Sequence, residues 1–218
     1  MKTYREIVFM VMDSLKILSD DSNWEVEHII DKVNRYRAML FKQRYIDKKK
    51  EIPQAFYQKL NVRFNASLSN GAFKSIAKIP NLIDNGMVST YSYLSPNVAT
   101  GQKLAMVNQD KFTVVGFNKW TGMFVYVTIG VDGYMHQKST ALLNPQDIDY
   151  FTILDNPFDA YDFNGTSIND ILDIDFPCDE TLTQAIMDLV VNELSKLMAL
   201  PVDLQNNGKD DIEYQPKQ

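Results

Sequence analysis

The stretch Leu60-Asn61-Val62-Arg63-Phe64-Asn65 alternates apolar and polar residues one by one, the rhythm of a strand with one face buried. Upstream of it, apolar residues recur every three or four positions, and beyond Asp179 they do so again. Helical chain ends that flank a strand-bearing middle bury their stripes together and carry the strands as an insertion or a second layer. The sequence therefore predicts an α+β fold: a helical bundle built from N- and C-terminal helices, an inserted antiparallel β region and an extended C-terminal tail.

Toward the N-terminus, Tyr4, Ile7, Val8, Val11, Leu15 and Leu18 form one stripe of a helix over 3–18. Ser19-Asp20-Asp21-Ser22 breaks it, and Ser22 with Glu25 reads as a capping box. A second helix follows to about Tyr45, with Val26, Ile29, Ile30, Val33, Leu40 and Phe41 on its buried side. The short link makes residues 1–50 an antiparallel helical hairpin. Arg37 sits on the same stripe, between Val33 and Leu40. An unpaired buried charge is very costly, so a carboxylate partner is expected, within the chain or on a neighbouring subunit. The plainer picture is a stem that packs while its head reaches water.

Outward from Leu60, the inserted β region spans 54–154. Phe73–Ile79 is a second strand, ended by Pro80. Residues 81–110 carry turn formers and read as loops with short strands. Phe112–Phe117, Phe124–Ile129 and Tyr134–Gln137 read as a meander, with a loop at 118–122 and a tight Asp132-Gly133 hairpin turn. The middle strand is apolar on both faces (Phe124 and Tyr126 against Val125, Val127 and Ile129). Such a strand is covered on both sides, by its own domain or by a neighbour. Residues 139–178 read as a long acidic connection with a short strand near Tyr150–Leu154. A C-terminal helix over 179–200 follows, with Leu182, Ile186, Leu189, Val190, Leu194 and Leu197 as its stripe and Pro201 as its stop. Residues 1–200 thus form one domain, and 201–218 a polar tail.

The chain has 218 residues, 45% of them apolar, enough for a real core. Its net charge of −6 argues against a general nucleic-acid binder. The sum hides an asymmetry: residues 1–50 hold 11 Lys+Arg against 8 Asp+Glu, whereas between Lys138 and Lys196 there are 12 acids and no base. The lone Cys178 allows no internal disulfide framework. The opening residues lack a signal-peptide pattern and no stretch reaches membrane-span length, so the chain is expected to be made in the cytoplasm, with no membrane partner.

Chemistry-bearing motifs are scarce. There is no phosphate-cradling Gly-rich loop and no nucleophile elbow. His28 and His136 lie on different elements. Asp147/Asp149 and Asp173/Asp175 are carboxylate pairs that could hold a divalent cation, but the nearest approach to a calcium loop fails, because Ala160 and Ile171 take its first and last ligand positions. No cofactor is expected. The basic run Arg35, Arg37, Lys42, Arg44, Lys48, Lys49, Lys50 could meet phosphates, form a solvated helix end, or face the acidic stretch of an adjoining copy. That last option suits a head-to-tail interface, which needs two different patches on each subunit.

Several stretches carry a resemblance: Tyr4-Arg5-Glu6-Ile7-Val8, Asp13-Ser14-Leu15-Lys16, Ser19-Asp20-Asp21-Ser22, His28-Ile29-Ile30, Tyr36-Arg37-Ala38, and Leu200-Pro201-Val202-Asp203-Leu204-Gln205-Asn206-Asn207-Gly208-Lys209-Asp210. The chain resembles the head-to-tail connector (adaptor or ring) proteins of short-tailed, crAss-like phages. The resemblance implies a structural virion protein and not an enzyme. It implies a homo-oligomeric ring, a dodecamer, stacked on the portal protein and adjacent ring proteins. It further implies a channel through which genomic DNA passes without sequence-specific binding, and a C-terminal segment that docks on a neighbour. The interface residues expected on these grounds are Arg37, Arg44, Lys48, Lys49, Lys50, Phe124, Tyr126, Pro201, Asp203, Asn206 and Asp210. Two other readings stay open: another phage interaction module, monomeric or dimeric, and a divalent-metal hydrolase using the acidic stretch 147–180.

Overall fold

The computed structural model describes residues 2–18, 24–46, 51–69, 72–83, 93–96, 103–115, 124–139, 145–167 and 170–198. Its helices are α1 (Tyr4–Leu18), α2 (Val26–Phe41), α3 (Gln109–Phe112), α4 (Asp159–Asn164) and α5 (Glu180–Met198). Its strands are β1 (Gln58–Val62), β2 (Phe64–Ser69), β3 (Ala72–Lys78), β4 (Tyr93–Pro96), β5 (Lys103–Met106), β6 (Phe124–Ile129), β7 (Tyr134–Lys138) and β8 (Ile148–Thr152). The fold is the mixed α+β arrangement that the change of rhythm at Leu60 implies.

The terminal helices make a three-helix bundle in which α5 packs on both α1 and α2. Tyr4, Ile7, Val11 and Leu15 of α1, Ile29, Val33 and Phe41 of α2, and Ile186, Val190 and Leu194 of α5 are almost wholly buried together. Each such side chain contributes roughly 1.5–3 kcal/mol by leaving water. Leu197 departs from the expected stripe and is 45% exposed, one turn beyond the last buried position. Asp179 caps α5: its Oδ1 accepts from the Leu182 N–H at 2.6 Å, satisfying a donor the helix cannot pair itself. The expected capping box at α2 does not form as read. Glu25 stands at the N-cap itself, without a side-chain cap bond, and Ser22 lies outside the described residues. Past Phe41 the helix continues as a single π turn, Lys42–Ile46.

Two sheets lie between the helices. β8 is the centre of a three-stranded antiparallel sheet, ordered β1-β8-β4, with Leu60 opposite Tyr150 and Val62 opposite Ile148. The second sheet has the order β2-β3-β7-β6-β5. Leu60, Val62, Ile148 and Tyr150 of the first pack against Phe64, Phe73, Val125, Val127 and Met135 of the second, so the sheets share one core.

Several expectations for this region are corrected. Phe112 ends the short helix α3, and the chain turns through Val115, so no strand begins at Phe112; residues 116–117 lie outside the described ones. The neighbour of β6 on that side is β5, paired in parallel, with Lys103 opposite Phe124 and Met106 opposite Val127. The inserted region is therefore not purely antiparallel. The β6–β7 hairpin closes through the four-residue loop 130–133, with Gly130 N–H donating to the Tyr134 carbonyl and Gly133 at φ 77°, a conformation that favours glycine. The stretch 139–178, read as a connection, supplies β8, α4 and a 3-10 turn at Ile171–Asp173. Gly165 ends α4 at φ 65°, and the Thr166 N–H returns to the Tyr161 carbonyl at 3.0 Å, the Schellman pattern. The turn glycine of the rejected calcium loop is thus a helix stop.

Candidate functional site

Arg37 is the polar residue that the core is built around. It is 0% exposed. Its Nε donates to the Pro177 carbonyl at 3.0 Å, and its Nη1 to the Leu154 carbonyl at 3.0 Å. Nη1 also lies 3.5 Å from the Asp155 carbonyl. The guanidinium thereby ties α2 to the end of β8 and to the segment that leads into α5. The carboxylate partner expected from the sequence is absent among the described residues: backbone carbonyls hold the fork, and Nη2 is buried with no protein partner. Burial pulls its pKa below the ordinary arginine value.

The aromatic end of α2 lies beside this seam. Phe41, Tyr45 and Phe56 pack with tilted and edge-on rings, 5.2–5.4 Å between centroids. Tyr45 donates its hydroxyl proton to Asp179 Oδ2 at 2.6 Å, and Arg44 lies 5.9 Å from the Tyr45 ring centre. Burial opposes the charge on Asp179, but bonds from Tyr45, the Leu182 N–H and Thr181 outweigh it and hold its pKa below the usual carboxylate range. Burial, with the Asp179 bond second, pushes Tyr45 up to about 12. Burial also pushes the Cys178 thiol up to about 12, which leaves it a poor nucleophile at neutral pH.

The charge asymmetry of the sequence is partly neutralised inside the subunit. Arg5 meets Asp170 at 2.6 Å and Asp173 at 2.9 Å. Lys32 meets Glu193 at 2.7 Å and Lys59 meets Asp149 at 2.7 Å. Bases of the first third hold acids of the last, and each carboxylate pair considered for a metal has one member bound to a cation. No group of three or more His, Cys, Asp or Glu suited to a metal occurs among the described residues. None of the described helices is long and apolar enough to cross a membrane. Solvent meets apolar surface on the outer side of α1, where Phe9 is 51%, Met10 44% and Ile17 85% exposed.

A family model described as phage tail ring protein 2 matches residues 6–212. The chain belongs to this phage tail ring protein family. It is also 30% identical to Ring protein 2 of Bacteroides phage crAss001 over 225 aligned residues, covering 96% of this chain and 98% of the relative. A crAss-like phage ring protein is a structural component of the virion, and the surfaces to account for are assembly surfaces.

Set against a ring protein, the residues singled out from sequence fall into three groups. Arg37 is wholly internal. Arg44 is half-buried against Tyr45, and Phe124 and Tyr126 lie on the face of β6 that its own chain covers: Tyr126 packs with Ala72 and Phe112 and is 7% exposed, with Phe124 partly buried beside them. Lys48, Lys49, Lys50, Pro201, Asp203, Asn206 and Asp210 lie outside the described residues. Sequence reasoning missed the Arg5 pairs and the exposed row Phe9, Met10, Ile17. The row could have been found, since all three fall off the buried stripe of α1.

Proposed function

We propose that this chain forms a homo-oligomeric ring, a dodecamer, in the head-to-tail connector of a short-tailed phage, stacked on the portal with the genome passing through. The family match over residues 6–212 carries the reading. Its role is structural and not catalytic. A net charge of −6 suits a passage that must let phosphates slide without gripping them. The apolar row on α1 is surface of the kind that subunit contacts cover. Arg44 and Lys48–Lys50 lie at a subunit boundary, with Phe124 at the rim of a contact. The tail, including Pro201, Asp203, Asn206 and Asp210, docks on the portal or an adjacent ring, where an ordering segment covers wide surface at an entropic cost.

A cryo-EM map of the virion neck tests this. The expected result is a closed ring of this chain against the portal, with residues 201–218 reaching the next ring. Absence of the chain from purified particles, or a position remote from the portal, would refute it.

A further inference from the structure

A groove of about 610 Å³ runs along the outer side of α2. One wall is the outward row of α2; the other is the turn after β8 with the Ile171 turn. Its charged lining is Glu27, Asp31 and Asp155 against Arg35 alone, and its apolar part is made by Ile30, Phe158 and Ile171, the last 47% exposed. Just beyond, burial and then repulsion from Asp162 and Asp155 raise the pKa of Asp159, so acids crowd this side of the molecule.

The opposite character appears at α3, on the face of the larger sheet turned away from the smaller one. Lys103 and Lys111 are exposed there, and Lys138 Nζ donates to the Thr113 carbonyl. Beside them Val114 stands 69% exposed. An exposed valine among three lysines and one acid, Asp110, is opposite in net sign to an apolar groove lined by three carboxylates and one arginine. Because α3 packs on β6 of its own chain, the groove it would fill belongs to another copy. Two different, complementary patches per subunit are what a head-to-tail contact requires.

We propose that Val114, flanked by Lys103 and Lys111, seats in the α2 groove of a second copy of this chain. The inference deepens the ring reading above and rests on it.

The test is reciprocal charge reversal followed by sedimentation velocity up to millimolar protein, with circular dichroism to verify folding. One variant carries Lys103→Glu and Lys111→Glu; the other carries Glu27→Lys and Asp31→Lys. Each alone is expected to weaken self-association about tenfold or more. An equimolar mixture restores it, since each variant then finds its complement. Raising salt from about 0.1 M to about 1 M weakens the wild-type contact. A wild-type chain that associates while both variants associate equally well overturns the docking and leaves the ring reading standing. A wild-type chain that stays monomeric throughout overturns the docking as a contact between free copies, while the ring reading answers to the map of the virion neck.

Discussion

Replacing Arg37 with lysine should harm this protein more than replacing it with methionine. The guanidinium is 0% exposed and is held by carbonyls at Pro177 and Leu154, each at 3.0 Å. Hydrogen bonds to a charged group contribute about 1.5–3 kcal/mol each. Against them stand the burial of the charge, several kcal/mol, and the unpartnered Nη2, about 1–3 kcal/mol. Methionine removes the bonds, the charge and the orphan together. It leaves two carbonyls without this donor, and the net loss is about 2 kcal/mol. Lysine keeps a charge, lacks the fork that spans two segments, and strands the other carbonyl. Its cost reaches about 4 kcal/mol at pH 7, limited by loss of its proton. The sign of the pH dependence follows. A buried lysine has a folded pKa below its unfolded value, so the unfolded chain binds more protons and stability rises with pH up to the unfolded value near 10.4. Urea unfolding followed by circular dichroism at about pH 7 and about pH 9.5 should show Arg37→Lys recovering relative to Arg37→Met as pH rises. Equal stability of the lysine variant and wild type, or a methionine variant weaker than the lysine one at both pH values, would refute the reasoning.

Asp179→Ala removes the α5 cap and the acceptor of the Tyr45 hydroxyl together. It should cost about 1–2 kcal/mol and lower Tm, with Asp179→Asn milder. Gly165→Ala meets no atom within 4 Å but forces an alanine to φ 65°; a loss of about 1 kcal/mol without local repacking is expected. Burial works against the Asp132 charge, but bonds from Lys74, the Tyr134 N–H and His136 hold its carboxyl at about 2. Its contribution is therefore complete above the unfolded value near 3.9 and fades as pH falls toward 2; a carboxyl NMR titration with a midpoint near 4 would contradict this.

The bundle was legible because its stripes are local. Tyr4 to Leu15 and Leu182 to Leu194 repeat at helical spacing, and burial follows that spacing except at Leu189, which is only half-buried. The run Phe112-Thr113-Val114-Val115 misled for the same reason: a short apolar run fits a strand or a turn equally, and what decides is the β6 face that Phe112 covers. The parallel β5–β6 pair was hidden, since parallel pairing depends on segments brought together by the rest of the sheet. Arg37 announced itself as a charge on an apolar stripe, yet its acceptors lie 117 and 140 residues away, and backbone carbonyls carry no side-chain signature. The opposed charge of early and late segments was visible, but its partial cancellation by Arg5, Lys32 and Lys59 within one subunit was not.

The bundle joins the first residues of the chain to nearly the last. Thr3 bridges to Asp175, the Tyr4 N–H reaches the Ile174 carbonyl, and the stripe of α1 closes on α5. A ribosome adding about 5–20 residues per second therefore releases α1 and α2 roughly 8 to 36 seconds before the helix that covers them. During that interval the nascent chain presents greasy helices to chaperones and to other ribosomes on the same message. A product that stops before α5 leaves the stripes of α1 and α2 uncovered.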